Sequence, residues 1–279
     1  MSEYKKDNLD LELLARAAES AAVASSEVLM ARFRPDSSDP LDTFFKAPNE
    51  LVTDADLASD KAITEALKAA GAPGRVDSEE SDTVLSDDNS LVWLIDPLCG
   101  TVPFSTGLGN WGVNIAVRHH GDLIAAELVM PSLDERLSAI EGQGVLRNGE
   151  PFTPTVPSTK LSESTVGLEI GHPNLWSEML GGGLAWIPSV GNINEFSSAA
   201  YPIGQVCLGR MSAVVLYSRS PAQVSSVHLD AGVMVAEELG VLVTDAKGAR
   251  IDGSSSDAPS AVVIGWPEVH AELIAAMNA

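Results

Sequence analysis

The chain has 279 residues, 45% of them hydrophobic, with 17 lysine and arginine residues against 39 aspartate and glutamate residues. That length and apolar content suffice for one large domain or two modest ones with a buried core. The net charge of −22 repels nucleic-acid phosphates and anionic lipid. The composition therefore argues against nucleic-acid and membrane-surface partners.

Cysteine content and apolar runs indicate the compartment. Cys99 and Cys207 are too few for a disulfide framework, which is typical of a reducing environment. The first residues lack the apolar stretch of a signal peptide, and no later run reaches the length of a membrane span. We therefore expect a cytoplasmic protein.

Hydrophobic periodicity predicts helices alternating with strands. Helices are predicted over residues 9–33, 54–71, 196–208, 230–239 and 268–277. Strands are predicted over residues 91–95, 111–118, 123–130, 136–140, 166–170, 213–216 and 261–265. This alternation favours a layered α/β or α+β fold. A stretch rich in Pro and Thr near residues 150–158 divides it into an N-terminal lobe, residues 1–152, and a C-terminal lobe, residues 153–279.

Residues 93–101, Trp-Leu-Ile-Asp-Pro-Leu-Cys-Gly-Thr, carry the most information. The apolar run before Asp96 predicts a buried strand, which Asp96 and Pro97 end abruptly. A carboxylate buried at the tip of a strand needs a partner. Followed by Pro and a Gly-Thr turn, it is well placed to bind a hard cation through its side chain and the next carbonyl.

This segment resembles the Asp-Pro-Leu-Asp-Gly-Thr signature of the inositol monophosphatase-like family of Mg²⁺-dependent phosphatases, with Cys99 at the second aspartate. Three further segments resemble elements of that family in the same order. They are residues 51–56, Leu-Val-Thr-Asp-Ala-Asp; residues 76–81, Val-Asp-Ser-Glu-Glu-Ser; and residues 228–232, His-Leu-Asp-Ala-Gly. The resemblance covers nearly the whole chain. It implies alternating αβαβα layers with the metal-binding elements between the two lobes.

The resemblance also implies roles for individual residues in the hydrolysis of a phosphomonoester. Glu79, Asp96 and the carbonyl of Leu98 would bind a first Mg²⁺ ion, and Asp96 and Asp230 a second. Mn²⁺ or Zn²⁺ are alternatives. Asp56 and Thr101, with Glu79 beside them, would orient and deprotonate the attacking water. Such ions activate water and neutralise phosphoryl oxygens.

The expected substrate is a small phosphorylated metabolite: a sugar, polyol or nucleotide monophosphate. Gln223 stands where inositol monophosphatases carry a glutamate that recognises ring hydroxyls, so myo-inositol phosphate is not the preferred candidate. By position in the resemblance, the substrate-binding residues are Gly100, Thr101, Ser198, Ala199 and Gln223, and the accessory residues are Lys46 and Glu80. The resemblance further implies a homodimer.

Each candidate also has a structural interpretation. Asp56 alone is typical of an acid in the first turn of a helix, and Asp230 of a helix N-cap. Glu79 and Glu80 alone are typical of a solvated acidic turn, and Lys46 of a surface lysine. The joint placement of these residues favours the functional interpretation.

Cys99 leaves the function open between alternatives. A thiol is a poor ligand for Mg²⁺, which predicts a phosphatase with a weakened second metal site. Alternatively, Cys99 only fills space in a divergent protein that has lost phosphatase chemistry and uses its pocket for binding or for another reaction. Acidic neighbours argue against Cys99 as a nucleophile. A purely structural, homo-oligomeric scaffold is the third class.

Overall fold

A computed structural model describes residues 9–33, 43–47, 50–170, 179–217, 225–251 and 261–279. For residues 44–47, 50, 181 and 182 only the backbone is described. The helices are α1 (Leu11–Arg32), α2 (Asp54–Ala69), α3 (Thr101–Ser105), α4 (Ala200–Cys207), α5 (Ser226–Glu238) and α6 (Pro267–Met277). None of these described helices is long and apolar enough to cross a membrane.

Two large sheets and one hairpin contain the described strands. The hairpin pairs β1 (Thr43–Ala47) with β2 (Glu50–Thr53). The larger sheet has the order β10-β9-β8-β7-β6-β5-β3-β4. Its strands are β3 (Arg75–Ser78), β4 (Asp82–Val84), β5 (Leu91–Cys99), β6 (Gly112–His119), β7 (Asp122–Met130), β8 (Glu135–Ile140), β9 (Val145–Arg147) and β10 (Glu150–Phe152).

The second sheet has five strands in the order β12-β11-β13-β15-β14. Its strands are β11 (Thr165–Ile170), β12 (Asn192–Glu195), β13 (Ala213–Tyr217), β14 (Leu242–Asp245) and β15 (Ala261–Gly265). The predicted lobe boundary falls between the last strand of the first sheet and the first strand of the second. The central apolar cluster contains residues of both sheets, so the division into two lobes stays a prediction.

Three apolar clusters define five layers. The first joins α1 and α2 to one face of the eight-stranded sheet. The second joins the opposite face to α4, α5 and the five-stranded sheet, and the third packs α6 against the outer face of that sheet. The order of layers is therefore αβαβα, which confirms the expected fold.

Strand β5 shows how the layers position the candidate site. Leu91, Trp93 and Ile95 belong to the cluster with α1 and α2. Because successive side chains of a strand point to opposite faces, Asp96 leaves the sheet on the side of α5. The most informative carboxylate of the sequence therefore lies between the eight-stranded sheet and the helices of the middle layer.

Two helix starts differ from the predictions. Helix α4 begins at Ala200 rather than at residue 196, because Ser197 has a positive φ of 53° that a right-handed helix does not allow. Helix α5 begins at Ser226, four residues before the predicted start at Asp230. This second difference places His228 within the first turn of the helix and Asp230 in the second turn.

Candidate metal centre

Asp96, Glu79 and His228 lie together at the end of β5. Their ligand atoms are all within 4.8 Å of one another. The Nδ1 atom of His228 is 2.7 Å from Oδ2 of Asp96 and 3.9 Å from Oε2 of Glu79. Asp96 is only 1% exposed, and its Oδ1 accepts a hydrogen bond of 3.2 Å from the backbone N–H of Leu98. Two carboxylates and an imidazole that converge in this way can hold a divalent cation.

The backbone beside β5 brings Glu79 to this position. Strand β3 runs parallel to β5, and the N–H of Glu79 donates to the carbonyl of Ile95 at 3.0 Å. Asp60 of α2 accepts hydrogen bonds from the hydroxyls of Ser78 and Ser81 at 2.5 and 2.6 Å. These contacts fix the turn that carries Glu79 and Glu80. Asp60 was not among the residues predicted from the sequence, although it follows Asp56 by one helical turn and shares its face.

Asp56 and Thr101 are in contact, as the sequence analysis expected. The hydroxyl of Thr101 donates to Oδ1 of Asp56 at 2.9 Å. The other carboxylate oxygen accepts from the N–H and the hydroxyl of Thr53, at 2.9 and 2.6 Å, and completes the capping box of α2. Asp56 therefore has the structural role of a first-turn acid and still faces Thr101. Burial raises its pKa despite these hydrogen bonds.

The turn after Asp96 is anchored by two serine hydroxyls, one from α2 and one from the residues before α4. The hydroxyl of Ser59 donates to the carbonyl of Pro97 at 2.8 Å, and the hydroxyl of Ser198 donates to the carbonyl of Cys99 at 2.9 Å. Gly100 has a φ of 106°, and a Cβ atom there would lie 3.0 Å from Cβ of Ser198. Only glycine allows both this backbone conformation and this close approach.

Cys99 faces the middle layer as a buried thiol. Its Sγ accepts a hydrogen bond of 3.3 Å from the N–H of Ala200. Burial, and to a lesser extent the charge of Asp96, raise the pKa of this thiol well above its ordinary value. Because the thiolate is the reactive form, Cys99 is a poor nucleophile near neutral pH.

Asp230 is not brought to Asp96. It lies in the second turn of α5 and pairs with the guanidinium of Arg118, with side chains 7% and 18% exposed. Residues two positions apart point to nearly opposite sides of a helix, so only one of His228 and Asp230 can face the end of β5. That residue is His228, whose Nδ1 lies 2.7 Å from Oδ2 of Asp96. Asp230 was also predicted to lie at the N-terminus of this helix, and it does not, because the helix begins at Ser226.

The remaining predicted residues have varied positions. The carbonyl of Leu98 accepts from the hydroxyl of Thr101 at 3.3 Å, which places it beside the Asp56–Thr101 pair. Ala199 is half-buried at the start of α4, next to Ser198. Lys46 lies in β1 with its side chain outside the described part, and Gln223 also lies outside the described residues.

The described side chains do not fit two Mg²⁺ ions. A second ion would need carboxylates where the structure has the Cys99 thiol and an aspartate already paired with Arg118. One ion fits the donors present, since Glu79 and Asp96 supply carboxylates and His228 supplies a nitrogen. His228 was missed because the resemblance was matched on Asp230, two residues along the same helix.

Comparisons with known proteins find relatives that match most of the chain. Nus factor SuhB of Pasteurella multocida is 28% identical over 214 residues, 75% of this chain and 77% of its own. Inositol-1-monophosphatase of Rhizobium meliloti is 27% identical over 213 residues, with the same coverage.

Solved structures with the same fold include a suhB protein and an IMPase. Extragenic suppressor protein suhB of Bartonella henselae superposes with a TM-score of 0.82, 22% identity, and coverage of 95% of this chain and 98% of that one. An IMPase/NADP phosphatase solved in complex with Mg²⁺ and phosphate has a TM-score of 0.75, 17% identity and 97% coverage of each chain. The model of the inositol monophosphatase family matches residues 10–279. The chain therefore belongs to the inositol monophosphatase family.

Proposed function

We propose that this protein hydrolyses a small phosphomonoester, using a single divalent metal ion at Glu79, Asp96 and His228. Family membership supports phosphatase chemistry, and the contact between Thr101 and Asp56 is the observation that carries the proposal. A divalent ion bound beside this pair would lower the pKa of a water molecule and neutralise phosphoryl charge.

The Asp56–Thr101 pair has the chemistry of a proton acceptor for water. A water that donates to the Thr101 hydroxyl oxygen would pass its proton through that hydroxyl to Oδ1 of Asp56, 2.9 Å away. The raised pKa of Asp56 makes this carboxylate a stronger base. The capping box holds the carboxylate in place during this transfer.

The substrate would lie between the two lobes, at the turn containing Gly100. A side chain at position 100 would meet Ser198, so glycine keeps this turn open beside Thr101. Glu169 also lies here, accepting from the N–H of Ser198 at 2.8 Å. A carboxylate beside this turn favours a hydroxyl-rich substrate, a sugar or polyol phosphate, with nucleotide monophosphates as the alternative within the same class.

The second candidate is a family member that binds a phosphorylated metabolite without hydrolysing it, or that uses the pocket for a different reaction. Two observations favour it: the protonated thiol of Cys99 and the pairing of Asp230 with Arg118. Both remove a carboxylate from the position expected for a second ion.

Asp56→Asn tests the proposed proton acceptor. The amide keeps an oxygen for the capping box but cannot accept the proton, so we expect kcat to fall on the order of 100-fold or more. Asp54→Asn is the matched control, because Asp54 is a partly exposed acid on the same helix turn. Phosphate release from a sugar phosphate, with protein stability measured in parallel, gives both values. Equal kcat for native protein and Asp56→Asn would contradict the proposed role.

A further inference from the structure

The donors at the end of β5 differ in kind from those that a Mg²⁺ site uses. Mg²⁺ takes oxygen ligands, whereas imidazole nitrogen suits Zn²⁺ and other first-row transition-metal ions. Here the nitrogen is central, because Nδ1 of His228 is the atom that lies near both carboxylates, 2.7 Å from Asp96 and 3.9 Å from Glu79. All three ligand atoms lie within 4.8 Å of one another, so small side-chain movements would bring each of them to about 2.1 Å from one shared ion.

Asn114 is a second, independent observation at this position. It is the cross-strand partner of Asp96, so the two side chains leave the sheet on the same face. Asn114 is fully buried, and neither its amide nitrogen nor its amide oxygen has a hydrogen-bond partner among the described residues. Buried polar groups are nearly always satisfied. An ion with its bound water beside Asp96 would supply the missing partner.

The neighbouring groups limit the centre to one ion. The Sγ atom of Cys99 accepts a hydrogen bond from the N–H of Ala200, and the guanidinium of Arg118 pairs with Asp230. A second cation here would be repelled by this guanidinium and would have no further carboxylate to bind it. The arrangement thus provides two carboxylates, one imidazole and a buried amide around a single position.

We propose that Glu79, Asp96 and His228 form a mononuclear site that selects a transition-metal ion such as Zn²⁺ or Co²⁺ through the nitrogen of His228. This inference deepens the proposed function by naming the class of ion and rests on it only for the location of the site. His228 is the residue that sets the preference, and Asp96 and Glu79 supply the charge.

Calorimetric titration of the metal-free protein with Zn²⁺ and with Mg²⁺ tests the proposal without any turnover. In His228→Asp we expect the preference for Zn²⁺ over Mg²⁺, expressed as the ratio of the two dissociation constants, to fall about 10-fold or more. His228→Gln, which keeps a neutral side chain, should lose Zn²⁺ affinity by a similar factor. In the native protein Co²⁺ should give a visible absorption spectrum that changes in both variants.

His119→Asn is the matched control, because His119 lies on the same sheet at the far end of β6 and stacks on His120. It should leave the Zn²⁺ preference unchanged. An unaltered preference in both His228 variants, or loss of Zn²⁺ binding in His119→Asn alone, would overturn the proposal. Zn²⁺ binding through His228 in a protein that releases no phosphate would uphold this inference and refute the proposed phosphatase activity.

Discussion

Cys99 and His228 are the two residues at which the chemistry of this chain departs most from the expected one. The family that the motif resembles has a carboxylate at the position of Cys99, and Asp230 was the other carboxylate expected to face Asp96. The structure has a buried thiol at Cys99, and the imidazole of His228 lies beside Asp96. Both differences leave fewer carboxylates beside Asp96, which suits a centre that holds one ion.

The two cysteines should be unreactive in the folded protein. Burial raises the pKa of Cys99 well above its ordinary value and that of Cys207 to about 12. Since the thiolate is the reactive form, modification by a disulfide reagent at pH 8 should be at least about 100-fold slower in the folded than in the unfolded protein. The measurement is the rate of thiol release with and without denaturant, with Cys99→Ser to assign the sites. A fast phase in the folded protein that Cys99→Ser removes would show a reactive Cys99.

For individual residues, the sequence predicted which side chains form the candidate site better than it predicted which of them contact one another. Asp96, Glu79, Asp56 and Thr101 were identified from motifs, and the structure places them in two adjacent contacts. The choice between His228 and Asp230 depends on how α5 packs against β5 and β6, where Arg118 pairs with Asp230 and Asp96 with His228, and such tertiary contacts cannot be recognised in the sequence. In the sequence, Asn114 is an ordinary residue of a predicted strand. Its place beside Asp96 follows only from the pairing of β5 with β6.

Among the elements, α2 has the largest part in positioning the site. Its first turn holds Asp56, its next turn anchors Pro97 through Ser59, and Asp60 binds the turn that carries Glu79. One face of one helix therefore positions both the proposed base and the proposed ligands. The helix is itself fixed by α1, since Ser25 and Ser59 hydrogen-bond at 2.7 Å.

Asp60→Ala should weaken metal binding although Asp60 is not a proposed ligand. Without the carboxylate, the hydroxyls of Ser78 and Ser81 lose their acceptor, and Glu79 is no longer held beside Asp96. Loss of such supporting contacts typically costs about 10-fold to 100-fold in affinity. Calorimetry with Zn²⁺ measures it, with Glu65→Ala on the exposed face of α2 as control. If Asp60→Ala bound the ion as tightly as the control, Glu79 would not depend on this contact.

Element prediction succeeded where apolar periodicity is long and failed where elements are short. The central strands β5 to β8 and the helices α1 and α2 were all predicted near their observed positions. The missed strands include β3, β4, β9, β10, β12 and β14, which have three or four residues each. A period of two cannot be recognised over so few residues, and their pairing is decided by tertiary contacts.

The whole molecule is a stack of five layers in which charge is tolerated at the surface and costly inside. Glu127 of β7 is 3% exposed; its carboxylate accepts a hydrogen bond of 2.8 Å from the hydroxyl of Ser138 and lies 3.8 Å from the guanidinium of Arg136. Burial raises its pKa to about 8, and Arg136 offsets this only in part. The folded protein therefore binds the proton of Glu127 more tightly than the unfolded chain does.

The stability of the fold should depend on pH through Glu127. Because the folded pKa lies above the ordinary value of 4.5, its favourable contribution is complete below about pH 4.5 and is lost as pH rises through about 8. Glu127→Gln removes this dependence. The free energy of unfolding of the variant relative to the native protein should rise by a few kcal/mol between pH 5 and pH 9.

Urea unfolding over this pH range measures the difference, and Glu150→Gln on an exposed position of β10 is the control for the loss of one surface charge. A difference between native protein and Glu127→Gln that stays constant with pH would show that Glu127 is ionised in both states.

Phosphate release from a panel of sugar, polyol and nucleotide monophosphates is the most direct test of metal-dependent phosphatase activity at Asp96. Native protein and Asp96→Asn would be assayed with Mg²⁺, Mn²⁺ or Zn²⁺ and after treatment with a chelator. Cys99→Asp would be assayed beside them to restore the expected carboxylate. We expect the native protein to release phosphate only when a divalent ion is present. We expect Asp96→Asn to lose this activity. Turnover that survives both the chelator and Asp96→Asn, or no turnover with any substrate and ion, would contradict these expectations.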